Sequence, residues 1–170
     1  MVAIVVVDEK WGIGCRGQLM FDIPEDMKHF LDITSGKVVV MGHSTLRSLP
    51  GGKPLKGRVN IVLSRNERLT VKSATVCNSV AQLLDVVCAY KPEDVIVIGG
   101  EEIYTRLLDY CSVVYLTKVG ALRQSDTFFP NIDRMDNWAV ESQSDQREHG
   151  GLKYRFYKYI NTNITTDTSK

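Results

Sequence analysis

The chain has 170 residues, 44% apolar and 24% charged, with a net charge of +1. That is enough to bury one ordinary core without metal or disulfide staples, and it creates no field that would draw nucleic acid or an anionic membrane. The four cysteines, Cys15, Cys77, Cys88 and Cys111, form no Cys-x-x-Cys pair and no repeated spacing, which argues against a zinc site or a disulfide framework and fits reduced thiols in a cytoplasmic protein.

In chain order, the apolar run at residues 2–7 ends at Asp8. It reads as a buried strand, too short for a signal segment or a membrane span. The stretch Leu19-Met20-Phe21-Asp22-Ile23-Pro24-Glu25-Asp26-Met27-Lys28-His29-Phe30 opens a helix over 24–33, because proline suits the first helical position and leaves Ile23 as N-cap. Asp26 and Phe30 lie four apart on one face, with Ile23, Met27 and Leu31 covering the adjacent apolar face. A cleft closing over Asp26 would raise its pKa, and the helix N-terminus would lower it. Complementing the helix dipole is the plain alternative for an acid at this position.

Further strands are expected at 38–41, 59–63, 95–98 and 113–116, short Val/Ile runs bounded by Gly, Asp or Ser. Helices are expected at 44–49, 80–90 and 102–108. The helix at 80 opens with Ser79-Val80-Ala81-Gln82, a capping box. Residues 152–160 are aromatic on both alternating faces and are expected to add an antiparallel strand at the sheet's edge. The polar residues 161–170 are expected to be a disordered tail behind one domain spanning 1–160. The alternation of strands and helices predicts an α/β fold: a single mixed, mostly parallel sheet flanked by helices on both faces.

Ligands of such sheets collect beyond the carboxyl ends of the strands. Three junctions there look chemical. Gly99-Gly100 precedes Glu101-Glu102-Ile103-Tyr104; Gly42 precedes His43-Ser44-Thr45; Arg65 follows Leu63-Ser64. Each alone is explained by a tight turn, a cap or a solvated arginine. Together they supply hydroxyls, amides and a cation suited to a nucleotide with several phosphates, with Glu101 and Glu102 opposing it electrostatically.

Trp11-Gly12-Ile13-Gly14, Ile23-Pro24-Glu25-Asp26-Met27, Val40-Met41-Gly42, Gly57-Arg58-Val59-Asn60-Ile61-Val62-Leu63-Ser64, Ile98-Gly99-Gly100 and Asp126-Thr127-Phe128-Phe129-Pro130, in this order, resemble the dihydrofolate reductase family from residue 1 to about 160. The resemblance implies hydride transfer from NADPH to C6 of 7,8-dihydrofolate with protonation at N5, giving the tetrahydrofolate used in one-carbon metabolism and thymidylate synthesis. It also implies antifolate binding, no metal, and a cytoplasmic, monomeric enzyme. Asp26 would hold the 2-amino group and N3 of the pterin, with Thr117 reaching it through water and Phe21 packing beside it. Ile4 and Ile98 would offer carbonyls to the pterin amine. Val5, Met27, Phe30, Leu49 and Leu55 would contact the substrate rings, and Arg58 would pair with the glutamate α-carboxylate. Val6, Ile13, Gly14, Leu19, Gly42, His43, Ser44, Thr45, Leu63 and residues 99–104 would surround the cofactor, with Gly99-Gly100 a cis peptide and Ser64 and Arg65 at the 2′-phosphate.

The segment 14–20 would be a loop closing over the nicotinamide. Two departures stand out: His43 where the family often has arginine, and Met20-Phe21 where many relatives have Pro-Trp. A related pyrimidine reductase and a catalytically idle NADPH-binding module are the competing readings. Asp26 with Arg58 disfavours the former, and the retained acid disfavours the latter.

Overall fold

Strands made of consecutive valines and isoleucines have no polar face, so they pair in the middle of a sheet. The computed structural model, which describes residues 1–164, places them there. Its elements are β1 (Val2–Val7), β2 (Gly12–Cys15), β3 (Gln18–Leu19), α1 (Pro24–Thr34), β4 (Val38–Gly42), α2 (His43–Ser48), β5 (Val59–Leu63) and β6 (Thr75–Cys77). They continue with α3 (Val80–Val87), β7 (Val95–Gly99), α4 (Glu101–Leu107), β8 (Val113–Val119), β9 (Thr127–Phe128), β10 (Trp138–Gln143), β11 (Arg147–His149) and β12 (Leu152–Asn161). The main sheet runs β10-β12-β8-β1-β7-β4-β5-β6, with β11 also on β12. It is parallel from β8 to β6 and antiparallel wherever β12 pairs.

One expectation is corrected. The aromatic strand β12 is antiparallel but not at the edge, because β10 pairs along its outer side. Beyond Trp138 every residue of β10 is exposed, so its sequence carries no buried alternation that would mark it as a strand. The expected tail also shortens: Asn161 closes β12, buried, with its amide donating to the Cys111 carbonyl at 3.2 Å. The remainder of the expected disordered tail beyond residue 164 lies outside the described residues.

Helix starts follow their signals. Ile23 is the N-cap of α1 with proline in the first turn. Ser79 caps α3 by accepting from the Gln82 N–H at 3.1 Å, and the Gln82 side chain reaches back to the Asn78 N–H at 2.7 Å. Alternate strand residues face opposite layers. Val39, Met41 and Val62 pack with Leu46 of α2, and Val2, Ile4 and Ile96 pack with Phe30 and Ile33 of α1. Val38, Val40, Ile61 and Leu63 pack with Leu83 of α3 and with Ile103 and Leu107 of α4. Helices therefore cover both faces, and the ends of β4, β5 and β7 lie side by side.

A smaller sheet, β3-β2-β9, stands beside the main one. The β2–β3 hairpin turns at Arg16 and Gly17, and the Asp126 carboxylate accepts from the Arg16 N–H at 2.7 Å.

Asn60 is buried in otherwise apolar β5, and its amide ties down the segment before it. Oδ1 accepts from the Leu55 N–H at 2.9 Å, while Nδ2 donates to the carbonyls of Leu55 at 2.9 Å and Arg58 at 3.1 Å. Asn60→Ala leaves these groups unpaired and is expected to cost about 1–3 kcal/mol of stability, read as a lower denaturation midpoint at unchanged slope.

Candidate active site

α1 places Asp26 one turn into the helix, half-buried, opposite the buried Thr117 of β8. Burial pushes the Asp26 pKa up; the Thr117 hydroxyl and the His29 ring favour the charged form but do not outweigh it. The neighbouring acid has the opposite fate. Glu25 accepts from the Tyr154 hydroxyl at 2.6 Å and from Arg147 Nη1 at 3.1 Å on each oxygen, and these contacts hold its pKa below the ordinary value. The two adjacent carboxyls are thus shifted in opposite directions.

Ile23 is buried, whereas Met27 and Leu31 remain on the surface at 47% and 44% exposure. The apolar face they form with Ile23 is thus only partly buried. Ile98 packs both against the group containing Phe30 and Ile4 and against the group containing Leu49 and Leu55. Val5 and Phe21 are buried and Val6 is half-buried nearby in sequence. The Arg58 guanidinium is oriented by Thr34 Oγ1, which accepts from Nε at 3.3 Å and Nη2 at 3.1 Å, and by the Lys56 carbonyl at 2.7 Å. The sequence reading did not find Thr34 or Asn60, since nothing in their local pattern separates them from a helix-end threonine or a strand asparagine.

The second half of the site is a cleft of about 750 Å³ at the carboxyl ends of β4, β5 and β7. Of the residues named for the cofactor it brings together Gly42, His43, Ser44, Leu63, Ser64, Arg65, Gly100, Glu101, Glu102 and Ile103, and it adds Asn66, Thr105, Arg106 and Thr127. Arg106 had a readable signal: it lies four residues after Glu102, the spacing of a helical ion pair. Thr45 sits just behind the wall, its Oγ1 3.2 Å from where a side chain at Gly100 would begin. Val6, Ile13, Gly14, Leu19 and Gly99 lie outside the wall. Leu19, at 68% exposure, is on the small hairpin.

Gly99–Gly100 is cis. Gly99 has φ +116°, and a Cβ there would meet the Tyr104 ring at 3.1 Å, so only glycine fits. Tyr104 itself is buried rather than presented to the cleft, and its hydroxyl donates to the Ile4 carbonyl at 2.7 Å. Ile4 retains the second lone pair of that carbonyl for a ligand.

A mostly parallel sheet with a cleft at the carboxyl ends of β4, β5 and β7, and a half-buried carboxyl on α1, has the build of a nucleotide-binding α/β enzyme. The sequence model of the family described as dihydrofolate reductase matches residues 1–161. The dihydrofolate reductase of Bacillus subtilis is 33% identical over 162 residues, covering 94% of both chains. That of Mycobacterium tuberculosis is 36% identical over 151 residues, covering 86% of this chain and 89% of its own. The structure of dihydrofolate reductase from Enterococcus faecalis complexed with NADP(H) and RAB-propyl superimposes with a TM-score of 0.84 at 29% identity, covering 94% of this chain and 95% of that one. The chain belongs to the dihydrofolate reductase family, whose members are NADPH-dependent oxidoreductases.

Because burial raises the Asp26 pKa, the folded chain holds that proton more tightly than the unfolded one, where the ordinary value is 3.8. This favours folding in full below that value, and the gain is lost as pH rises through the folded pKa. At neutral pH the buried anion is a standing penalty. Asp26→Asn is therefore expected to melt higher than the native chain at pH 7, with the gap closing as the pH approaches 4, measured by calorimetry across a pH series.

Proposed function

We propose that this chain reduces 7,8-dihydrofolate to 5,6,7,8-tetrahydrofolate with NADPH and that the residues gathered above divide the work between two adjoining sites. The single observation that carries the reading is the half-buried Asp26 at the start of α1, facing the Thr117 hydroxyl. A carboxylate in that setting binds a paired N–H and amino edge and fixes how the pterin lies, while Met27, Phe30, Leu49 and Leu55 contact its rings and the aminobenzoyl group. Arg58, already held by Thr34, presents its fork to the glutamate α-carboxylate, a geometry suited to bidentate pairing.

The cleft residues fit the cofactor. Ser44, Ser64 and Arg65 supply hydroxyls and a cation, and Gly100 keeps open a space that a side chain would close against Thr45. NADPH, when bound, supplies the hydride. The protein aligns the rings, holds the pterin by Asp26 and keeps bulk water away, so that positioning carries much of the rate. The proton reaching N5 passes through water, since Asp26 holds the opposite edge of the pterin.

His43 puts an imidazole in the cleft where the family often has arginine, so that position lacks the planar fork of donors a guanidinium brings to a phosphate. The β2–β3 hairpin, latched to Asp126, is the element that closes over the nicotinamide. The four cysteines are free and no described helix is long and apolar enough to cross a membrane. The reading proposed here is of a cytoplasmic monomer that takes dihydrofolate and antifolates as ligands.

Two substitutions test the division of roles. Asp26→Asn is expected to lower turnover by about two to three orders of magnitude near neutral pH, with partial recovery in acid where dihydrofolate is already protonated, followed by the loss of NADPH absorbance. Turnover unchanged across pH would remove Asp26 from the mechanism. Arg65→Ala is expected to weaken NADPH binding by about tenfold or more and leave NADH within about twofold, measured by calorimetric titration; equal losses would sink the 2′-phosphate assignment.

A further inference from the structure

The cleft that receives the cofactor contains an acid already bonded to its cations. Glu102 Oε1 lies 2.9 Å from Arg106 Nη2, one helical turn further on, and Oε2 lies 3.7 Å from Arg65 Nη2. Arg65 follows β5 and Glu102 stands on α4 after β7, with β4 between those strands. The Arg65–Glu102 pair therefore spans the cleft across the end of β4, where Gly42 and His43 lie. All three side chains reach solvent, at 79% exposure for Arg65, 53% for Glu102 and 40% for Arg106, so neither contact is strong enough to bar an incoming dianion.

A phosphate approaching Arg65 meets a guanidinium whose counter-charge is already present. It must separate Glu102 from Arg65 and then sit beside the released carboxylate. Glu102 has somewhere to go, because an acid four residues before an arginine is the favourable order of a helical pair. The anion nevertheless stays within the cleft. A dinucleotide without a 2′-phosphate leaves the Arg65–Glu102 pair intact and meets no such competition.

We propose that Glu102 is a specificity-determining residue of this cleft: it competes with the cofactor's 2′-phosphate for Arg65 and narrows the difference in affinity between NADPH and NADH. The proposal rests on reading Arg65 as the 2′-phosphate ligand. It accounts for one of the two acids, Glu101 and Glu102, in a cleft otherwise furnished for anions, and it assigns Arg106 the task of holding Glu102 when Arg65 is taken.

The test is calorimetric titration of the native chain, Glu102→Gln, Arg65→Ala and the double variant with NADPH, NADH, 2′,5′-ADP and 5′-AMP, in low and in moderate salt. Glutamine keeps the shape and removes the charge. In Glu102→Gln, NADPH and 2′,5′-ADP are expected to bind about three- to tenfold tighter at low salt, and less so at moderate salt, with NADH and 5′-AMP changed less than about twofold. In the Arg65→Ala background the same substitution is expected to give a smaller gain, since the two residues share one interaction. The proposal is overturned if Glu102→Gln leaves the NADPH to NADH ratio unchanged or lowers it, if all four ligands tighten equally, or if the gain persists in full without Arg65. Equal losses of NADPH and NADH in Arg65→Ala alone would overturn the site assignment instead. A selective Arg65→Ala with a silent Glu102→Gln would remove only the role of Glu102.

Discussion

The two halves of the site are joined by one buried hydrogen bond, from the Tyr104 hydroxyl on α4 to the Ile4 carbonyl in β1. β7 lies between β1 and β4, so its last residues separate the folate side from the cofactor side. Gly99 provides the space in which the Tyr104 ring passes beneath the strand end, and the hydroxyl then fixes α4 against β1. Together with the core packing of Ile103 and Leu107, that bond helps set the height of the α4 groups that face the cleft, Glu102 and Arg106 included. Burial pushes the Tyr104 pKa far up, which keeps the hydroxyl a donor over the working pH range.

A second constraint acts on the folate side. α1 carries Asp26 on a surface helix whose apolar residues are only partly used by the core. Met27 and Leu31 lie bare, and the helix is secured through Ile23, Phe30 and Ile33 beneath it and Glu25 beside it. Asp26 thus stands on a partly packed helix but is itself withdrawn from solvent, and that burial raises its pKa. Stability given up at Asp26 is recovered in the strands below it, an arrangement common to sites that must desolvate a charge.

Much of the scaffold was legible because it obeys single rules. β1 and β5 appear over the residues their apolar runs span, and α1 begins at its proline. β4 and β7 each run one residue longer, into Gly42 and Gly99, since glycine carries no strand signal of its own. β10 was illegible because its outward residues have no apolar alternation, and that omission is what placed β12 at the edge. The site divides in the same way. Asp26, Arg65 and the glycines stand out by type and position. Asn60 and Thr34 act through contacts 5 and 24 residues away from their partners Leu55 and Arg58, and Tyr104 acts across 100 residues. Such roles belong to the folded geometry and leave no local pattern.

The clamp on Glu25 also bears on how the enzyme is made. Its partners Arg147 and Tyr154 come 122 and 129 residues later in the chain, and Tyr154 lies on β12, the strand that β8 and β10 enclose. A ribosome delivers the start of α1 early and its fastening almost last. A growing chain that has already formed most of its parallel sheet still lacks the two partners that hold the Glu25 side chain, so the start of α1 gains this fastening only when the last hairpin is released.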